Sequence, residues 1–378
     1  VMTPGTAQYK AIQWLYHNDP AGRRDLDNDR FFQRYFAAVF YYSTSKGRGW
    51  HDCYAGDTMC TSSSKKPWLS LWDECEWYGF VECDTDGFVT RFVIMTNQNG
   101  VGKSLHGNGL HGTLPEEFGY LTSLQQLTID RNPLLTSNIP PTFSKLTNLR
   151  KLSLLFNNLQ EPWSEGLLDN MTELSGLYLN YNDFNMTLPV DISNCTSLGG
   201  LGLAGNKLHG SIPSEYGKLY SLTMLELDDN YLTGNLPDEI FPSNTTSGLP
   251  ALKILDLQNN RFNGTLPQEL GNLHYIHKLY LSNNNFQGDL PATLITIGKD
   301  SEKYKTIAID GNRLSGVIPP ELADIYLLYS LNLTSNDFTG AVPASICAIP
   351  DSQLRELMVD CDEVECSCCN PSCEIIVE

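Results

Sequence analysis

Three kinds of side chain in this sequence could do chemistry. Glu226, Asp228, Asp229 and Asp256 gather four carboxylates into one stretch. Such groups pair with Lys and Arg, accept hydrogen bonds, or ligate a hard cation such as calcium. Phe156, Tyr178 and Tyr181, with Leu155, offer flat apolar area of the kind that anchors interfaces or sugars. Cys366-Ser-Cys368-Cys369 and Cys373 are dense in sulfur, which suits either disulfides or a thiolate metal site. His274-Ile-Tyr-His277 is too short a pattern to define a metal site, and no loop has the ligand spacing of a calcium-binding hand. There is no G-x-S-x-G, phosphate-binding loop or dinucleotide fingerprint. Glu226 and Asp256 are the one carboxylate pair available for acid–base work, and nothing builds a cleft around them. The chain therefore reads as non-enzymatic, with no cofactor and no metal assigned.

A repeat positions these residues. From Leu124 to Asn336 the pattern L-x-x-L-x-L-x-x-N recurs, with asparagines at Asn132, Asn157, Asn182, Asn206, Asn230, Asn260, Asn284, Asn312 and Asn336. Their intervals are 25, 25, 24, 24, 30, 24, 28 and 24 residues. At this period each unit makes one coil of a solenoid and buries its apolar side only by stacking on its neighbours. Leu225 and Leu227 alternate with Glu226, so the leucines point inward and Glu226 outward. The asparagine falls where the strand ends; a buried amide there donates and accepts at once, tying its coil to the next. These asparagines are structural, not sites.

The outward positions form three columns on a concave sheet. One runs Thr128, Ser153, Tyr178, Gly202, Glu226, Asp256, Tyr280, Ala308, Asn332, and its neighbour Asp130, Leu155, Asn180, Ala204, Asp228, Gln258, Ser282, Asp310, Thr334. The third runs Arg131, Phe156, Tyr181, Gly205, Asp229, Asn259, Asn283, Gly311, Ser335. Three zones are expected: the aromatic patch, a bare floor at Gly199, Gly200, Gly202 and Gly205 where a ligand reaches the backbone, and an acidic patch beside it.

The second half of each unit reads Gly112-Thr-Leu-Pro115, Gly210-Ser-Ile-Pro213, Gly264-Thr-Leu-Pro267, Gly316-Val-Ile-Pro319 and Gly340-Ala-Val-Pro343. These residues resemble the plant-type leucine-rich repeat of receptor-kinase ectodomains and polygalacturonase-inhibiting proteins, over about two thirds of the chain. Glu161-Pro-Trp163 departs from the motif, and Pro242–Gly248 and Gly298–Lys303 are insertions. The expected fold is an α/β solenoid, a right-handed superhelix of about ten coils with a parallel concave sheet. Residues 1–88 are its helical N-terminal cap, 89–353 the solenoid and 354–378 a cysteine-rich C-terminal cap. Trp72–Cys83 looks like the paired-cysteine cap of plant-type repeats. Phe31–Thr44 with Gly49-Trp50, and the tail from Asp360 to Cys369, resemble the caps of secreted leucine-rich proteins of diatoms and related algae. Trp14, Tyr41 and Tyr42 could serve a cap core or a lateral contact.

Cys53 with Cys60 and Cys75 with Cys83 would staple the N-terminal cap. Cys347, Cys361, Cys366, Cys368, Cys369 and Cys373 supply three bridges at the other end, their pairing open, and Cys195 is left as a buried thiol. Six N-x-S/T sequons, at Asn170, Asn185, Asn194, Asn244, Asn263 and Asn332, also point to secretion. Asn194 and Asn263 lie near buried coil positions, Asn244 falls in an insertion, and a glycan on Asn332 would block one end of the groove. No stretch approaches the length of a membrane span. Val1-Met-Thr-Pro-Gly reads as the start of a processed chain, with membrane anchorage upstream left open. Forty-four acids against 25 bases give a net charge of −19, which disfavours nucleic acid and anionic membranes and favours basic partners. The chain is expected to be an extracellular or cell-surface recognition module for a protein, peptide or wall polysaccharide; the alternative is a structural subunit of an extracellular matrix, filament or surface assembly. The resemblance to the plant inhibitors implies hydrolase inhibition only as a subclass of the first reading.

Overall fold

The computed structural model describes residues 3–19, 29–45, 67–70, 74–77, 80–94, 108–160, 163–243, 248–350, 352–368 and 374–376. Cys53, Cys60, Asn244, Cys369 and Cys373 lie outside the described residues. The chain forms two compact units, Val1–Asn185 and Met186–Glu378.

The N-terminal unit begins with helices Ala7–Gln13 and Asp29–Thr44, which pack on each other. Thr6 caps the first, its hydroxyl accepting from the Tyr9 N–H at 3.2 Å. Their core is aromatic: Trp68, Trp77, Phe40 and Phe92 are fully buried, and Phe40 and Phe92 reach Phe118 of the first coil at ring distances of 4.9 and 5.0 Å. Trp14 and Tyr41 are buried in this cap, so both serve its core. Arg34 is buried as well, bidentate to Asp19 at 2.8 and 3.0 Å, with its guanidinium against the rings of both Trp14 and Trp77. A buried charge pair persists only when its geometry is this complete. Cys75 and Cys83 are joined by a disulfide. Strand Phe80–Cys83 runs antiparallel to Val89–Ile94, which starts a parallel series through Gln126–Ile129, Lys151–Ser153 and Gly176–Tyr178.

The C-terminal unit continues the same grammar. Its long sheet holds Gly200–Gly202, Met224–Glu226, Ile254–Asp256, Lys278–Tyr280, Lys305–Ala308, Leu328–Asn332 and Glu356–Met358 in parallel, closed by antiparallel Glu374–Ile376. Leu201, Leu225, Leu255, Leu279, Ile307, Leu331 and Leu357 are in register and buried. Among the described residues, the short helix Ala344–Cys347 aside, the returning half of most coils in the two units is not α-helical. It is a second short strand followed by a 3₁₀ turn, as in Arg261–Gly264 and Gln268–Asn272. The cause lies in the G-x-I/L-P motif. Gly264 has φ +80°, and a Cβ there would strike the Asn235 side chain. Pro267 then fixes the extended residue from which the tight turn starts. Where the motif fails, buried Trp163 fills the coil, edge-on to Phe184 at 5.9 Å.

The ladder of asparagines exists, with its direction corrected. Asn284 Nδ2 donates to the carbonyls of Leu281 and Ser282 in its own coil and of Leu257 in the preceding one, at 3.1, 3.2 and 3.0 Å. Its Oδ1 accepts from Phe262 N–H of that preceding coil at 3.0 Å. Asn230, Asn260, Asn312 and Asn336 make the same accepting bond. These five amides thus tie their coils to the previous ones rather than to the next.

The insertion at 298–303 is held from below. Gly298 and Asp300 donate to the carbonyls of Leu273 and His274, both at 2.9 Å. Buried Lys305 donates from Nζ to the Ser301 carbonyl at 2.6 Å, and burial lowers its pKa. At the C-terminal end Cys347 is bridged to Cys368, and Cys361 and Cys366 are also disulfide-bonded. Cys195 is a buried free thiol.

Asn284→Ala strips partners from buried backbone groups and is expected to cost about 2–3 kcal/mol in urea denaturation, whereas exposed Asn259→Gly, which keeps the left-handed backbone, should stay within about 1 kcal/mol.

Candidate ligand-binding faces

The column one residue before the ladder asparagines is the most constrained on the long sheet. Arg131, Phe156 and Tyr181 in the N-terminal unit have φ of 63, 54 and 57°, and Asp229, Asn259, Asn283 and Ser335 in the other have 53, 54, 55 and 56°. All stand in the left-handed region, where the chain leaves the strand. Asn, Asp and Gly tolerate it; Phe and Tyr do so at a cost of about 1–2 kcal/mol. The two aromatics offset that by stacking. The Phe156 and Tyr181 rings lie 4.4 Å apart at 10°, and the Arg131 guanidinium covers the outer face of Phe156 at 4.5 Å. Phe156 and Tyr181 remain 36% and 42% exposed. Tyr178 is half-buried; its ring folds back over Gly176 and carries Lys151 Nζ at 5.5 Å.

In the C-terminal unit the same column forms a hydrogen-bonded ladder. Asn259 Nδ2 donates to Asp229 Oδ1 at 2.7 Å, and Asn283 Nδ2 to Asn259 Oδ1 at 2.8 Å. Glu226 and Asp256 stand side by side on adjacent strands, with Tyr280 next in register. Asp228 is buried and Asp256 half-buried. Burial first, then neighbouring carboxylates, pushes Asp228 up to about 6 and Asp256 up to about 7. Below neutrality this face therefore carries protonated carboxyls that both donate and accept hydrogen bonds.

Several expected positions differ. Gly200 and Gly202 are buried, beside Met224 and Glu226 in register, while Gly199 and Gly205 are half-buried, so only part of the expected glycine floor meets solvent. Thr128 and Ser153 are buried too, beneath bonds from Gln126 Nε2 to Thr128 Oγ1 at 3.2 Å and from Ser153 Oγ to Asp130 Oδ1 at 2.9 Å. Long polar neighbours roof the small residues between them. Asn194 and Asn263 are exposed, as are Asn170 and Asn185, because the 3₁₀ turn and second strand carry Asn194 and Asn263 outward. Asn332 is half-buried, its Oδ1 accepting from Thr334 N–H and Oγ1 at 3.2 and 2.8 Å. His274 Nδ1 lies 3.6 Å from Asp300 and both His274 and His277 have lowered pKa values, mainly from burial. The sulfurs of Cys347, Cys366 and Cys368 lie within 4.8 Å of one another, yet all three are oxidised in disulfides, so they are not thiolate ligands. The left-handed column escaped the sequence reading. Its signal was the recurrence of Gly205, Asp229, Asn259, Asn283 and Gly311 at one position, which Phe156 and Tyr181 break.

Coil, ladder and second sheet define a leucine-rich repeat protein with the plant-type unit. The family model described as Leucine Rich Repeat matches residues 251–273 and 275–296. The ectodomain of the Arabidopsis thaliana receptor kinase GASSHO1/SCHENGEN3, solved with CASPARIAN STRIP INTEGRITY FACTOR 2, is 31% identical with a TM-score of 0.66, over 76% of this chain and 32% of that one. The plant peptide hormone receptor RGFR1 in complex with RGF2 is 30% identical, TM-score 0.52, over 68% of this chain and 46% of that one. A plant ice-binding protein, 24% identical with a TM-score of 0.60 over 84% and 89% of the two chains, shares the fold. The chain thus spans about a third to a half of the two receptor ectodomains. No curated protein matches the sequence. Among the described residues no helix is long and apolar enough to cross a membrane.

Asp228 and Asp256 bind protons more tightly folded than unfolded, so between pH about 4 and about 7 the folded state holds more protons and loses stability as pH rises. The melting temperature should be a few degrees higher at pH 5 than at pH 8, and Asp256→Asn should shrink the difference; calorimetry at the two pH values checks both.

Proposed function

We propose that this chain is an extracellular, non-enzymatic recognition module that takes a peptide or protein segment on its long parallel sheet. The carrying observation is the Arg131–Phe156–Tyr181 stack: strained backbone, partly exposed rings and a cation fixed in one column. Rigid aromatics lose little conformational freedom on binding, which makes them efficient anchors. The acidic face around Glu226, Asp228, Asp229 and Asp256 is a second contact surface and selects basic partners. The similar plant peptide hormone receptor RGFR1 was solved with RGF2, and the GASSHO1/SCHENGEN3 ectodomain with CASPARIAN STRIP INTEGRITY FACTOR 2, which supports a peptide or protein over a wall polysaccharide. Disulfides at both ends and exposed sequons support the oxidising, secreted setting.

Phe156→Asn with Tyr181→Asn installs the residue type that this column already accepts, so the fold is kept while the stack is lost. Capture of displayed peptides by the immobilised protein should fall about tenfold or more, with the melting temperature within about 2 °C of the parent. Undiminished capture would remove the stack from the binding surface. The alternative, a structural subunit of an extracellular assembly, draws on Tyr275, Tyr304 and Tyr326, which stand outside the strands at 48, 55 and 58% exposure. Light scattering separates the two: a monomer supports recognition, a large assembly the structural role.

A further inference from the structure

The second sheet of the C-terminal unit carries an open groove of about 600 Å³ lined by Asn235, Asn263, Gly264, Asn285, Gln287 and Arg313. Among the described residues, no side-chain hydrogen bond joins any of its four amides or Arg313 to another protein group. Each amide offers two donors and an acceptor oxygen, and Arg313 adds a fork of donors. The lining holds no apolar side chain. This is chemistry for closely spaced hydroxyls and other polar oxygens rather than for an apolar peptide.

Asn263 stands in the middle of it, opposite Asn285 in register, and opens the sequon Asn263-Gly264-Thr265. Asn263 and Thr265 are both exposed. Asn332 offers the contrast: its amide is half-buried and already bonded to Thr334. We infer that Asn263 carries an N-linked glycan whose first sugars lie along this groove. In the attachment step the Asn263 amide nitrogen attacks the anomeric carbon of an oligosaccharide carried on a polyisoprenyl diphosphate. A C–N bond forms, the C–O bond to the diphosphate breaks, the lipid diphosphate leaves with the electron pair, and the amide proton goes to a base. No oxidation state changes. The glycan covers this side of the coils and leaves the strand face free for ligand. The inference rests on the secreted reading.

The test is glycopeptide mapping of the protein secreted from a eukaryotic host, followed by hydrogen exchange before and after trimming the glycan to its first sugar with an endoglycosidase. The expected result is an occupied Asn263 and faster exchange at residues 285–288 after trimming. Thr265→Ala should remove one glycan and reproduce the faster exchange with the groove amides untouched. Asn285→Ala with Gln287→Ala should keep the glycan and abolish the trimming effect. Glycans on Asn170 and Asn194 with Asn263 bare would overturn the inference and leave the secreted reading standing. No glycan at any sequon removes both. An occupied Asn263 with exchange unmoved by trimming overturns the seating in the groove.

Discussion

Strands of three to five residues cannot satisfy their own ends. Where each strand of the long sheet turns, backbone N–H and C=O groups point toward an apolar leucine core, and each unpaired one would cost about 1–3 kcal/mol. The ladder asparagine meets that constraint with one side chain: in Asn260 and Asn284 a single amide bonds carbonyls of two coils and accepts an N–H from the earlier one. The coil period follows, because the amide reaches its neighbour only if both coils turn at the same point. Even the departures obey it. The interval between Asn284 and Asn312 is 28 residues, and the surplus is absorbed at 298–303, where Lys305 and the carbonyls of Leu273 and His274 hold it without disturbing the ladder.

A stack fixed this firmly has apolar ends that must be closed by something other than another coil. At the N-terminal end the solution is aromatic bulk, Phe40, Phe92 and Phe118 in contact, with Arg34 and Asp19 buried behind them. At the C-terminal end it is an antiparallel strand, Glu374–Ile376, together with the Cys347–Cys368 bridge. Both ends carry a disulfide, and the N-terminal one adds aromatic volume and a buried charge pair.

Much of this was legible in the sequence, because the leucines, asparagines and G-x-I/L-P motifs each have one physical use, and the period exposes them. The strand faces, Cys75 with Cys83, and buried Cys195 follow from alternation and count. What escaped the sequence depends on neighbours in space. Nothing in the spacing says that Gln126 roofs Thr128 or that Ser153 turns to Asp130, so residues placed outward by alternation proved buried. Nor does composition announce that Arg34 pairs with Asp19, fifteen positions earlier. The returning half of the coil was given no element from the sequence, although the fixed φ of proline and the left-handed glycine before it argue for a strand and a 3₁₀ turn.

The left-handed column shows how such a fold accommodates function without losing register. The turn out of the strand demands φ near +55° whatever residue stands there. Asp229, Asn259 and Asn283 meet the demand cheaply and spend their side chains on one another. Phe156 and Tyr181 meet it at a cost that their mutual stacking only partly offsets. A position that stability alone would fill with Asn or Gly holds instead two rings and, at Arg131, a cation. Local strain that the fold does not require is where the surface is most specific, and in the N-terminal unit this column places it on those three residues.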